Sequence, residues 1–166
     1  MITDTFNEKD MVDFQNILKN TQQTVTTAES CTGGLIASMI TEVSGSSEIF
    51  KGAIVTYCNE IKEQELDVKK ETMIEFGVVS CEVVEQMLQG VLKKFDADYA
   101  MAVSGVAGPN GGTSKKPVGT VAIGVMSKNK DKNIQLFHFQ GNRKEIQIQA
   151  AKMALKLNFE ILLKKA

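Results

Sequence analysis

The chain has no tryptophan, two tyrosines, two prolines, one histidine and three cysteines among its 166 residues. Each scarcity excludes a class of function. Without tryptophan and with so few tyrosines there is no aromatic platform on which bases could stack, and a net charge of −1 gives no field that would recruit a phosphate backbone. The lysine runs at 69–70, 93–94, 128–132 and 164–165 alternate with acids or end helices, as solvated surface does, so nucleic acid is not an expected partner. Cys31, Cys58 and Cys81 form no CxxC pair, and their odd number makes a poor disulfide framework. With a single histidine and no clustered Cys, His or Asp set, no zinc or other metal site is expected. Nor does any apolar run approach the roughly 18 residues of a membrane span, and residues 1–10 are too polar and acidic for a secretion signal. The expected location is therefore the cytoplasm, with no membrane partner.

What remains is ordinary for a globular domain: 43% hydrophobic and 23% charged residues. The length fits one domain over 1–166, with 1–9 as a flexible lead-in. Met11, Phe14, Ile17 and Leu18 form the apolar stripe of a helix over 10–19, and the β-branched run 24–28 reads as a strand. A helix follows over 31–42, broken at Ser44–Ser47, then a strand over 50–56 and a helix starting near Asn59. A helix over 69–76 ends at Gly77, and Ser80 caps another that runs to Phe95. Residues 99–104 are a strand, 105–116 a glycine-rich loop, and 118–126 with 133–139 a hairpin. Asn142 caps a long last helix. Alternation of helices and strands followed by two consecutive strands predicts an α/β fold, a mixed β-sheet with helices on both faces.

Three segments could carry chemistry. In Thr26–Gly34 (TTAESCTGG), Ser30 stands where a strand passes into a helix, followed by Cys31, Thr32, Gly33 and Gly34. The first N–H groups of a helix lack internal partners and suit a developing oxyanion. A serine nucleophile needs a base, and the only histidine, His138, lies in a strand alternation with no acid placed to orient it. Asn59, read as an N-cap, puts Lys62 at the third helical position, where a cation meets the positive end of the helix dipole. That field lowers the lysine pKa, as burial would, and a neutral amine can act as base. Tyr57 precedes it and could relay a proton or hold a ligand ring. The loop from Ser104 through Gly105, Ala107 and Gly108 matches neither phosphate-binding glycine motif, yet its length without secondary structure marks it as a binding element. Arg143, opening the last helix, could hold a phosphate or carboxylate.

Taken together, Thr27–Gly34, Gly45–Ser47, Gly52–Lys62 (GAIVTYCNEIK), Phe76–Ser80, Ala102–Pro109 (AVSGVAGP), Gly111–Thr113 and Lys116–Thr120 closely resemble the CinA C-terminal domain family. Its stand-alone members include PncC-type nicotinamide-mononucleotide amidohydrolases. The resemblance runs from about Thr24 into the last helix. It implies a three-layer α/β/α sandwich, usually a homo-oligomer of two or more copies, and deamidation of nicotinamide mononucleotide to nicotinate mononucleotide and ammonia without metal or cofactor. By the same resemblance Ser30 is the nucleophile, Lys62 its general base and Tyr57 the tyrosine that accompanies them. Asn59, Ser104, Gly105, Ala107, Gly108 and Arg143 are expected to face the pyridine nucleotide. The chain departs from the family at Ser104, often threonine, at Cys58, often a small hydroxyl residue, and at Asn110, often glycine. The pyrophosphatase domain of full-length CinA proteins is not expected. Two alternatives accompany this reading: Cys31 as the nucleophile, and a non-catalytic pyridine-nucleotide-binding module.

Overall fold

The computed structural model describes residues 5–165. The elements run α1 (Glu8–Asn20), β1 (Val25–Glu29), α2 (Leu35–Thr41), β2 (Phe50–Val55), α3 (Asn59–Leu66), α4 (Lys70–Phe76), α5 (Cys81–Phe95), β3 (Tyr99–Gly105), β4 (Thr120–Ser127), β5 (Lys132–His138) and α6 (Arg143–Leu163), with a 3-10 turn at Ser46–Glu48 between α2 and β2. One five-stranded sheet has the order β2-β1-β3-β4-β5. β2, β1 and β3 are parallel, and β4 and β5 continue antiparallel. The expected mixed sheet between two helical layers is thus what the chain forms.

Strand periodicity assigns the two layers. Tyr99, Met101 and Val103 of β3 and Val121, Ile123 and Val125 of β4 join α1, α2 and α6 in one core. Ala100, Ala102 and Ala122 turn to the other face, against Val83, Val84, Met87, Leu88 and Val91 of α5. Small residues on that face let α5 lie close across the strands. α5 in turn fixes α3: a Cβ at Gly90 would overlap the Leu66 carbonyl oxygen at the end of α3. Among the described residues no helix is long and apolar enough to cross a membrane.

Several boundaries differ from the sequence expectation. The flexible lead-in over 1–9 is corrected for residues 5–9; residues 1–4 lie outside the described residues. Phe6 is buried edge-on against Phe14 and Phe159, and Asn7 caps α1 through a reciprocal pair of bonds with Asp10. α2 begins at Leu35 rather than Cys31, since Gly33 and Gly34 hold positive φ of 61° and 99° and form a turn that L side chains rarely adopt. Cys58, not Asn59, is the N-cap of α3, and it offers no side-chain bond. Lys62 is therefore the fourth helical residue, its N–H bonded to the Cys58 carbonyl.

Helix propensity alone favours alanine over glycine by ~1 kcal/mol, but at Gly90 the Leu66 carbonyl reverses the sign. Gly90→Ala is expected to destabilise by about 2 kcal/mol through overpacking. Its melting temperature should fall by roughly 4–8 °C in a thermal scan.

Candidate active site

The three parallel strands end side by side, and the chain leaves them in opposite directions. After β1 it crosses to β2 through α2 on one face, and after β2 it reaches β3 through α3, α4 and α5 on the other. Such a switch point leaves a crevice at the strands' carboxyl ends. Ser30 follows β1 there, Tyr57 follows β2, and Gly105 closes β3. An open cleft of about 280 Å³ is lined by Ser30, Cys31, Tyr57, Gly105–Gly108, Asn110, Gly111 and Arg143.

The turn that presents Ser30 is built by Glu29, the last residue of β1, whose side chain is fully buried. Its Oε2 accepts from Thr32 Oγ1 at 2.7 Å, Ile36 N–H at 3.0 Å and Gly34 N–H at 3.1 Å, while Oε1 accepts from Ala37 N–H at 2.8 Å and Thr27 Oγ1 at 3.2 Å. A carboxylate is acceptor-only, and here every donor around it is satisfied at the positive end of α2. The Ser30 backbone is tied to β3 by its N–H to the Val103 carbonyl, 3.0 Å.

Lys62 reaches the turn from α3. Its Nζ lies 3.2 Å from Ser30 Oγ and donates to the Thr56 carbonyl at 2.7 Å. The residue is only 1% exposed, and among the described residues no carboxylate is within ion-pair distance of it. Burial pushes its pKa below the ordinary 10.5, with the Cys58 and Cys31 thiols opposing that shift. Desolvation is the leading cause, as burial was expected to act, and Lys62 stands one residue further into α3 than its spacing predicts. Thr56 is held by its N–H to the Glu29 carbonyl at 2.8 Å. Glu29 therefore braces both Ser30 and Lys62, the serine through its side chain and the lysine through Thr56.

Other expected residues fall into different places. Tyr57 is 60% exposed at the cleft mouth. Its hydroxyl accepts from Arg143 Nη2 at 2.8 Å and makes no bond to Ser30 or Lys62 among the described residues. Arg143 Nη1 donates to the Gly108 carbonyl at 2.6 Å, so the guanidinium bridges the strand end and the glycine-rich loop. Ser104 is buried, donates to the Val78 carbonyl at 2.9 Å and does not line the cleft. Asn59 is exposed on the first turn of α3, also outside the cleft lining. Gly33 N–H bonds the Ser30 carbonyl and Gly34 N–H bonds Glu29, which corrects the expectation that both face an oxyanion. Cys31, Ala107 and Gly108 line the cleft, and their N–H groups meet no backbone carbonyl among the described residues. Burial raises the Cys31 thiol to about 12, the reverse of the depressed value that a thiolate nucleophile needs. Among the described residues no cluster of His, Cys, Asp and Glu could hold a metal ion.

Glu29, Thr56 and Gln147 are absent from the sequence expectation. Gln147 Nε2 donates to the Cys31 carbonyl at 2.9 Å and lies one turn beyond Arg143 on α6. For Glu29 a signal existed: a lone acid inside an otherwise uncharged strand run. For Thr56 and Gln147 nothing in the spacing pointed inward.

The structure thus sets Ser30, at a strand-to-turn junction, against the buried amine of Lys62 on an α/β/α sandwich. Residues 8–162 match the model of the CinA C-terminal domain, and the chain belongs to that family. A CinA-like protein of Endomicrobium trichonymphae is 51% identical over 141 residues, 85% of this chain and 33% of that protein. One from Syntrophomonas wolfei is 49% identical over 140 residues, 84% and 33% of the two chains. The chain thus spans about a third of the length of these curated relatives. Among solved structures, the competence/damage inducible protein CihA of Agrobacterium tumefaciens superposes with a TM-score of 0.88 at 36% identity, covering 94% of this chain and 97% of that one. The competence damage-inducible protein A of Klebsiella pneumoniae gives 0.89 at 31% identity, covering 93% and 96%.

Two outcomes follow from this geometry. Glu29→Gln places an amide NH₂ against a ring of donors, so it is expected to destabilise by about 2–4 kcal/mol in urea unfolding. For Lys62, the folded pKa is depressed, so between that value and 10.5 the unfolded chain binds the extra proton and stability rises with pH. Lys62→Met removes this penalty and should be ~1 kcal/mol or more stabler than wild type near pH 7. The gap should close as unfolding is repeated at rising pH up to about 10.5.

Proposed function

We propose that this chain is an amidohydrolase that deamidates nicotinamide mononucleotide to nicotinate mononucleotide and ammonia through Ser30 and Lys62. The observation that carries the reading is the 3.2 Å approach of Lys62 Nζ to Ser30 Oγ, with no carboxylate within ion-pair distance of the amine among the described residues. A lysine kept neutral by burial accepts the serine proton as Ser30 Oγ attacks the carboxamide carbon. The developing oxyanion is met by the Cys31 N–H, with the Ala107 and Gly108 N–H groups on the facing loop as further donors. The C–N bond then breaks, Lys62 returns its proton to the leaving ammonia, and the carbonyl remains as an ester on Ser30. Neutral again, Lys62 draws a proton from water as the water oxygen attacks the ester, then passes that proton to Ser30 Oγ as the ester C–O bond breaks. The acid released loses its own proton to solvent and leaves as the carboxylate.

Recognition of the nucleotide is supported by the cleft wall. Two N–H groups of Arg143 are spent on Gly108 and Tyr57, leaving three of the guanidinium's five for a phosphate. The Tyr57 face and the glycine-rich loop flank the remaining space.

An ammonia-release assay with nicotinamide mononucleotide, nicotinamide riboside and nicotinamide tests both halves. Turnover should be greatest with the mononucleotide, and Ser30→Ala or Lys62→Ala should lower kcat by about 10³-fold or more. Arg143→Ala should raise KM for the mononucleotide by roughly 10- to 100-fold while leaving the riboside nearly unaffected. The kcat/KM profile should rise with pH through the depressed lysine pKa. Calorimetric binding of the mononucleotide without ammonia release would instead favour a binding module.

A further inference from the structure

Apart from the Ser30 N–H on β3, the turn that carries Ser30 is fixed almost entirely by its own segment. Ser30 to Gly33 form a β-turn closed by the Gly33 N–H on the Ser30 carbonyl at 3.0 Å, and the Leu35 N–H meets the Thr32 carbonyl at 3.1 Å. Glu29 holds the Thr32 hydroxyl and the Gly34, Ile36 and Ala37 N–H groups. The Cys31 carbonyl is held differently. It belongs to the central peptide of the β-turn, which the closing bond leaves free: types I and II share that bond and differ in how the central peptide is turned. Cys31 is only 6% exposed, so its carbonyl needs a partner within the protein. Among the described residues the one donor it meets is Gln147 Nε2, at 2.9 Å and 116 positions away in sequence.

Gln147 follows Arg143 by four residues, so both side chains leave one face of the first two turns of α6. The reciprocal Asn142–Glu145 cap and the buried Ile146 fix that end of the helix. Arg143 touches the cleft wall at Gly108 and Tyr57. Gln147 is half-buried and absent from the cleft lining, so a substrate in the cleft meets Arg143 but not Gln147.

We infer that Gln147 is a positioning residue, which holds the central peptide of the nucleophile's turn and so keeps the Cys31 N–H aligned on the carbonyl that Ser30 attacks. The role rests on the amidase reading of Ser30 and Lys62. The N–H and the carbonyl of Cys31 share one α-carbon, so a carbonyl released from Gln147 lets the residue tilt about it and carries the N–H out of line. A full flip to type II would need a positive φ at Thr32, which a β-branched residue resists. A released, buried carbonyl also draws water in beside Ser30 to replace its lost donor. An oxyanion donor accelerates a reaction because it is already aimed when charge develops, so loss of aim is read in kcat. Arg143 acts on nucleotide binding and is read in KM. The first two turns of α6 thus divide binding and alignment between two positions.

Steady-state ammonia release, together with labelling of Ser30 by a fluorophosphonate probe, tests the role. Gln147→Met keeps the side-chain length and loses the donor, and should lower kcat with nicotinamide mononucleotide by about 10-fold while KM stays within ~2-fold. Nicotinamide riboside should show the same factor, because the lost bond lies on the nucleophile's side, and Ser30 labelling should slow to match. Gln147→Arg sets an Nε–H the same number of bonds from the α-carbon and should restore both rates to within ~3-fold. An unchanged kcat in Gln147→Met overturns the inference. So does a loss confined to KM, or one that Gln147→Arg leaves in place. If Gln147→Met does not fold, Gln147→Ala decides on the same readings. A wild type that labels at Ser30 but releases no ammonia removes the amidase reading and leaves the labelling rates to decide the role of Gln147. A wild type that releases ammonia no faster than Gln147→Met removes that role and leaves the amidase. No reaction at Ser30 by either measure overturns both.

Discussion

One buried carboxylate organises this molecule. Glu29 sits at the end of β1 with its carboxyl group fully withdrawn from water, and among the described residues no cation answers it. Its five donors do so instead: two hydroxyls and three backbone N–H groups. This arrangement substitutes for the missing side-chain cap of α2 and bends Ser30–Gly34 into a fixed turn. It also consumes the N–H groups that a helix start would otherwise offer a substrate. The backbone N–H groups near the cleft without a backbone carbonyl partner among the described residues are instead those of Cys31 and of the loop after β3.

The lysine is governed by the opposite constraint. A buried cation with neither carboxylate nor water is unfavourable, and the protein responds by favouring the neutral amine. That state is poor for stability wherever the unfolded chain would be protonated, and good for a base that must accept a proton from serine. The Thr56 carbonyl fixes the amine in place, and α5, packed on the end of α3 at Gly90, fixes the helix that carries it. The desolvation of Lys62 and its role in the proposed reaction thus fall on the same residue, as stability–activity trade-offs lead one to expect. Arg143 completes the frame from a third element, tying Tyr57 to the glycine-rich loop across the cleft.

Much of the fold was legible in the residues because periodicity and capping are local. The order of helices and strands, the Ser80 and Asn142 caps and the mixed sheet all follow from patterns within a few residues of one another. Boundaries slipped where a longer-range partner intervened. The turn at Gly33–Gly34 was read as helix because its apolar continuation is helical, while the carboxylate that bends it is supplied by the preceding strand. The polar, acidic lead-in suggests flexibility, but Phe6 packs against Phe159 at the far end of the chain.

By itself, the sequence determined the family, the fold class and the pairing of Ser30 with Lys62 as the residues to examine, because the motifs carrying them are contiguous and specific. It also determined what the site could not be, since a chain with one strand-bound histidine cannot build the usual triad. Tertiary structure alone decided that desolvation is the leading influence on the lysine's pKa, that Ser104 bonds the Val78 carbonyl from outside the cleft, and that burial raises the Cys31 thiol to about 12. These are statements about which groups meet water and which meet each other. Burial and hydrogen-bond partnership arise only when segments distant along the chain are packed together, and no local pattern of residue types encodes them.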